Sequence, residues 1–393
     1  MTNRFFRKAL MPSLALALAA TGSIAAKAEV GVTDSTIIFG QAAALEGPAG
    51  ALGSGMRLGL LAAFAEANAN GGVGGRQLEL KSYDDGYEPE VSIKHTQTLI
   101  NQDQVFALIG AVGTPTSSAT QPIATEAGVP FVGPFTGAGF LRAPELTNVV
   151  NVRGTYGQET EAWIKHLTED LGYDRIAILY QDDSFGRVGL DGVNKALEKR
   201  GLKLVAEGNY KRNTTAVKSA LLDIRKAEPQ AVVMVGAYKP IAEFIKLARK
   251  VKMDSTFVNI SFVGSDALAK ELGPDGEGVV ITQVVPFPWD NSIPLVQQYQ
   301  AALKAHDASA APGFVSLEGY MVGRLTIMAL EKVQGEVTRE AFLQAIAQTG
   351  TFDLGGATLT FGQGDNQGMD DIFLTVIQAD GTFKAVHRLG GSS

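Results

Sequence analysis

Short apolar, β-branched runs alternate with longer amphipathic runs along this chain, and the alternation goes round twice. Runs at 36–43, 77–83, 105–110 and 129–133 read as strands. A second set follows at 175–180, 202–208, 231–236 and 257–264. Helical patterns fill the intervals at 52–70, 90–102 and 117–127, then at 159–171, 188–200, 216–227 and 240–251. Strands that are apolar along their whole length are buried on both faces, which is the condition of a parallel sheet with helices on either side. The doubling predicts two similar α/β lobes rather than one large sheet.

The last third breaks the simple alternation. A strand at 278–286 is followed by long helices at 293–306 and 314–333, and the tail at 358–361, 372–378 and 382–387 reads as antiparallel strands around a Gly- and Asp-rich turn. A chain that returns to helices and then to strands is explained most economically by three crossings between the lobes, near residues 150–155, Pro286 and Phe352. The expected division is therefore 29–150 plus 287–350 for one lobe and 151–286 plus 351–393 for the other. No Pro/Ser-rich linker separates them, which fits a hinge better than a flexible tether.

The N-terminus bears on compartment. Arg4, Arg7 and Lys8 precede an apolar stretch over 9–24, and Ala26-Lys27-Ala28 has the small-x-small form of a cleavage site. This is the order of a secretory signal, with cleavage after Ala28. The apolar stretch carries Pro12 and is short for a bilayer core of about 30 Å. The chain has no cysteine, which removes disulfides, thiolate nucleophiles and lipid attachment at that site. Its net charge is −7, and losing the basic signal makes the remainder more acidic still. Such a chain repels nucleic-acid phosphates.

Several segments, in order, carry a resemblance. They are Glu46-Gly47-Pro48; the helix end Asn68-Ala69-Asn70-Gly71-Gly72-Val73-Gly74-Gly75-Arg76; Tyr83-Asp84-Asp85; Ile109-Gly110 with Thr120-Gln121-Pro122-Ile123-Ala124; Val129-Pro130-Phe131-Val132-Gly133-Pro134; Ile176-Ala177-Ile178-Leu179-Tyr180; and Gly236-Ala237-Tyr238-Lys239-Pro240. Together they resemble the periplasmic binding proteins of branched-chain amino-acid ABC transporters, the type I Leu/Ile/Val-binding group. The resemblance implies two Rossmann-like lobes with parallel sheets joined by a three-segment hinge, and a periplasmic carrier that closes around a small solute and delivers it to a membrane permease. Each motif also has a local reading. The glycines at 71–75 end a helix and turn into a strand, the reverse of the strand–glycines–helix order of a dinucleotide fingerprint. Asp84 and Asp85 suit turn and cap duty.

In open parallel sheets, ligands sit beyond the carboxyl ends of the strands. The loops there are 44–51, 111–118 and 134–140 in one lobe and 181–187, 237–240 and 265–268 in the other. In the loop 113–118, hydroxyls and free N–H groups at a helix N-terminus suit a carboxylate, while Thr116 or Ser117 also suits an N-cap. The resemblance implies ligand contact from Thr114, Thr116 or Ser117, and from the strip Phe135-Thr136, where Thr136 is offset by one residue from the family's threonine and Gly137 takes its aligned place. In the second lobe it implies Tyr238 as a tyrosine closing over the ligand, Phe185 in place of another tyrosine, and Asp266 as receiver of a ligand ammonium. Core packing for Tyr238 and helix capping for Asp266 are the structural alternatives. Leu52 stands where the family has a tyrosine, Tyr87 where it has a disulfide cysteine. Glu46, Leu52 and Tyr156 are candidate wall residues. These departures turn the expected ligand from leucine, isoleucine or valine in particular to an amino acid or related small carboxylate.

Nothing in the sequence assembles a catalytic or metal-binding constellation. His95, His166, His306 and His387 are scattered, and neither G-x-S-x-G nor H-E-x-x-H occurs. No cofactor is expected. The second functional class is a sensory module reporting an amide, urea or aromatic carboxylate to a regulator. A sensor of that kind carries a spanning helix and an output domain, neither of which is read before Ser393, so a carrier is the leading expectation.

Overall fold

The computed structural model of the protein describes residues 1–2 and 29–390, so the expected export signal lies outside the described residues apart from Met1 and Thr2. Two sheets organise the chain. The first has the order β2-β1-β3-β4-β5 and is parallel throughout, from β1 (Thr36–Ala43), β2 (Gln77–Asp84), β3 (Ala107–Ile109), β4 (Phe131–Val132) and β5 (Val149–Val150). Its connecting helices are α1 (Gly50–Ala69), α2 (Pro89–Asn101) and α3 (Thr114–Glu126).

The chain then enters α4 (Tyr156–Lys165), capped by a reciprocal Thr155–Gln158 box. There follow β6 (Ile176–Gln181), α5 (Ser184–Glu198), β7 (Ala206–Tyr210), α6 (Lys218–Lys226), β8 (Ala231–Val235), α7 (Tyr238–Lys250), β9 (Thr256–Asn259), α8 (Ser265–Leu272) and β10 (Val280–Gln283). After these come α9 (Pro294–His306), α10 (Phe314–Lys332), α11 (Arg339–Thr349), the short hairpin β11 (Thr351–Asp353) and β12 (Thr358–Thr360), then β13 (Phe373–Ile377) and β14 (Phe383–Val386). The second sheet runs β14-β13-β10-β9-β8-β6-β7, with the last two chain strands antiparallel on its edge. Every residue of β6 and of β8 is buried, as continuous apolar runs covered on both faces require.

The late helices return to the first sheet's side of the molecule. α10 packs along α1, closely enough that a Cβ on Gly59 would lie 1.9 Å from the Ser316 carbonyl oxygen and one on Gly319 would lie 2.3 Å from that of Met56. Glycine at both positions is what lets the two backbones touch.

Three segments cross between the two halves. The first follows β5 and the second follows β10. The third was expected near Phe352, but the β11–β12 hairpin stays with the late helices: Leu295 N donates to Gly355 O (2.8 Å) and Phe361 N to Gly350 O (2.6 Å). Phe352, Leu359 and Phe361 are buried there, and that burial delays the crossing. The chain crosses instead around 366–368, where Asn151 N donates to Asn366 O (2.8 Å) and Gly368 N to Asn151 O (2.9 Å), so the first and third connections lie side by side. Among the described residues no helix is long and apolar enough to cross a membrane.

Candidate functional site

The carboxyl ends of β3, β4 and β5 face those of β6, β8 and β9, and the residues beyond them meet. α3 begins earlier than the sequence pattern suggested, so Thr114 to Ser117 form its first turn rather than a loop. Its N-cap is Gly113, held at φ 104, with no side-chain cap. Capping by Thr116 or Ser117 is thus not what the structure shows. Thr116 instead donates back to Val112 O and Gly113 O, which turns its hydroxyl into its own backbone. A helix start without a side-chain cap leaves backbone N–H groups to other partners.

Beside this turn lies the strip after β4. Thr114 Oγ1 and Thr136 Oγ1 are 2.7 Å apart, and Thr136 Oγ1 accepts from Ala138 N (3.2 Å). Tyr156, the first residue of α4, is anchored by its N–H to Gly137 O (2.8 Å). Its ring packs on Gly137, so its phenol comes beside Thr136. Burial raises the Tyr156 pKa, against the pull of Arg153 and Thr136. Ser117 Oγ and Tyr156 Oη are both buried, and neither has an aligned hydrogen-bond partner among the described residues.

Aromatic rings from both halves meet beside this strip. Phe262, on the turn after β9, lies 4.6 Å from Phe185, 5.4 Å from Phe135 and 5.8 Å from Tyr87; Tyr156 lies 5.3 Å from Phe185. All five rings are buried. Phe262 belongs to a run legible only as a strand, and nothing in its neighbours marks it as the ring that fills the meeting point.

Charges lie directly beneath. Arg153, in the first crossing segment, is fully buried and places its guanidinium 4.4 Å above the Phe135 ring. Nη2 donates to Glu318 Oε2 of α10 (3.1 Å), and Nε sits 2.9 Å from Oε1 in an ionic rather than well-aligned contact. Burial opposes the cation, but Glu318 outweighs it and the Arg153 pKa is raised. Arg142 donates to Thr136 O (3.1 Å), Ala138 O (3.0 Å) and Arg153 O (3.0 Å), and to Gln367 Oε1 (3.0 Å) in the third crossing. It has no carboxylate partner among the described residues, and burial together with the Arg153 charge pulls its pKa down to about 9. Neither arginine was singled out from the sequence, where each reads as one basic residue near a sheet edge.

The remaining candidates divide. Tyr238 opens α7, and its Oη accepts from Ala51 N at the start of α1 (3.4 Å), across the two halves. Leu52, fully buried, fills the space over Gly264 beside Tyr238. Asp266 is not brought to the hydroxyls. Its carboxylate accepts from Phe314 N at the start of α10 (3.2 Å), and burial pushes its pKa up to about 6. It lines a separate cavity of about 850 Å³ on the side of the second crossing, with Phe287, Trp289, Pro312 and Phe383. Asp266 therefore caps a helix, but a different one from its own. Glu46 is exposed. Asp84 and Asp85 do serve turns: Asp84 Oδ1 accepts from Leu45 N (2.8 Å) and Glu46 N (3.0 Å), and Asp85 accepts from Tyr87 N (2.8 Å) and Ser92 Oγ (2.7 Å).

A polar latch holds the far rim. Arg212 Nη2, after β7, donates to Glu88 Oε2 (2.7 Å) before α2, and Asn213 Nδ2 donates to Gly86 O (2.9 Å). Gln181 Nε2 reaches Tyr87 Oη (3.3 Å). The two halves thus touch at this rim as well as at the rings.

A family model described as periplasmic binding protein matches residues 36–382. The chain is 26% identical over 363 residues to the leucine-, isoleucine-, valine-, threonine- and alanine-binding protein of Pseudomonas aeruginosa, covering 90% of this chain and 93% of that one. Among solved structures, a possible leucine/isoleucine/valine-binding protein from Rhodopirellula baltica is 38% identical with a TM-score of 0.86, covering 90% of this chain and 96% of that one. A substrate-binding periplasmic protein from Ralstonia solanacearum is 26% identical with a TM-score of 0.83, over 89% of this chain and all of that one.

Proposed function

The chain belongs to the periplasmic binding protein family, and from that premise we propose that it is the exported solute-binding component of an ABC transporter, taking an amino acid or related small carboxylate between its lobes. The observation that carries this reading is the pair of buried hydroxyls without an aligned partner, Ser117 Oγ and Tyr156 Oη, in a region where rings from both halves pack together. A buried polar atom without a partner costs about 1–3 kcal/mol, and a polar solute that satisfies both removes that cost. The ligand contacts on this reading are Thr114, Ser117, Phe135 and Thr136 from one lobe and Tyr156, Phe185 and Tyr238 from the other. Opening separates the rings; a solute touching both lobes favours the closed form, and the crossing segments absorb the rotation. On this reading the membrane permease is the partner that receives the loaded, closed form, and the signal-like order of the N-terminal residues supports a periplasmic location.

Calorimetric titration against amino acids and small carboxylates tests the reading. At least one member of the panel is expected to bind saturably with a one-to-one stoichiometry. At a hundredfold excess over its Kd it should stabilise the protein by about 2.7 kcal/mol. A panel without a single binder would remove the carrier assignment as stated.

A further inference from the structure

We propose that the cavity on the side of the second crossing is a second ligand site, separate from the strand ends, and that it takes an organic monocation with an apolar body. The rings of Phe287, Trp289 and Phe383 hold that body, and the carboxylate of Asp266 faces its charge. The site is independent of the solute-binding reading above.

The cavity measures about 850 Å³, within the range of about 300–1,000 Å³ usual for small-molecule sites. None of Ser117, Phe135, Tyr156, Phe185 and Tyr238 lines it. Its walls come from three parts of the chain: Asp266 and Lys270 from α8, Phe287 and Trp289 from the second crossing, and Asp380 and Phe383 from the β13–β14 hairpin. Trp289 and Phe383 stack at 15° with centroids 5.7 Å apart, and Phe287 meets Trp289 edge-on at 5.1 Å. Trp289 is exposed, and Phe287 and Phe383 are half-buried. A cluster that served only the core would be shut off from solvent, whereas these rings line an opening.

An aromatic face attracts a cation, more strongly as water is excluded. Asp266 supplies the matching charge. Its Oδ2 accepts from Phe314 N (3.2 Å), and a Cβ on Gly313 would lie 2.5 Å from that oxygen, so glycine is what admits the carboxylate here. Only backbone N–H groups, those of Phe314 and of Asp266 itself, pull its pKa down. Lys270, one turn along α8, makes no ion pair with it. Even with its pKa raised to about 6, the group is an anion at neutral pH, and it has no cationic partner among the described residues. A desolvated charge in that state is stabilised by an opposite charge brought to it. Asp380 adds a second carboxylate to the lining against the single ammonium of Lys270. A zwitterion would bring its own carboxylate towards these acids, which separates the ligand of this cavity from an amino acid.

Matched probes isolate the charge: choline against 3,3-dimethylbutan-1-ol, and benzylammonium against benzyl alcohol, at neutral pH. Entry is read by fluorescence, because the chain has two tryptophans and Trp163 is fully buried, which leaves Trp289 to respond. At least one cation is expected to bind saturably, and about tenfold more tightly than its neutral partner. Calorimetry then follows the variants. Trp289→Ala should weaken the cation about tenfold, while Trp289→Phe, which keeps a ring, should restore most of the affinity. Asp266→Asn keeps an oxygen for Phe314 N but loses the charge, and should also cost about tenfold. Ser117→Ala, at the strand ends, should leave cation affinity unchanged. Binding by neither cation would overturn the site, as would undiminished affinity in Trp289→Ala. A neutral partner that binds as tightly as its cation would overturn the ligand class. Loss of cation binding in Ser117→Ala would place the cation at the strand ends and overturn the proposal. None of these results bears on the carrier reading, which stands or falls with its own panel.

Discussion

Single residues carry the chemistry of this molecule because burial changes what each polar group costs. Asp85 is the clearest case. Burial pushes its pKa up to about 6, against the pull of Ser92 and Tyr87 N, while an unfolded aspartate titrates near about 3.9. Between those values the folded chain holds a proton that the unfolded chain has released, so stability falls as pH rises through the window. The loss from Asp85 amounts to about 3 kcal/mol by pH 7. Asp266, also near about 6, adds to the same window. Urea unfolding at pH 4.5 and pH 7 should show a smaller loss of stability for Asp85→Asn than for the unaltered protein, and an equal loss in both would refute the assignment. Sequence spacing placed Asp85 at a strand end before a helix, and that much was legible. Its burial depends on Ser92 and Tyr87 folding over it. The same limit applies to Asp266, whose partner Phe314 lies 48 residues further along the chain.

At the scale of elements, the strands of both sheets were legible because a parallel strand covered on two faces reads as an unbroken apolar run. Elements too short for a pattern were not. β5 has two residues, and α11 follows a Gly- and Glu-rich turn that hides its spacing of Phe342, Ala345 and Ile346. The α1–α10 crossing was equally hidden, although its cause is written in the sequence as Gly59 and Gly319. Gly319→Ala would set a methyl group against the Met56 carbonyl and should lower the unfolding free energy by about 1–3 kcal/mol, the usual range for overpacking. Chemical denaturation measures it, and an unchanged midpoint would mean that the helices are free to move apart. Because α10 carries Glu318, whose oxygens hold Arg153, any shift of this helix pair also moves the charged floor of the site.

The whole molecule is two sheets whose strand ends face each other, tied by three crossing segments and latched at the rim by Arg212, Asn213 and Gln181. The two halves were legible in the doubled strand–helix pattern. Their closeness rests on contacts between residues more than a hundred positions apart, such as Ala51 with Tyr238, and no local pattern encodes it. The proposed function depends on this closure being reversible, since the rings packed together in the closed form must part for a solute to enter. The absence of cysteine makes closure directly measurable. Spin labels at Glu90→Cys and Lys218→Cys, both exposed and on opposite sides of the rim, report the opening by electron–electron double resonance. The free protein is expected to give a broad distribution reaching long distances, and a saturating carboxylate ligand to collapse it onto the short distance of the closed form. A ligand that binds while the distribution stays unchanged would contradict closure around a solute held between the lobes.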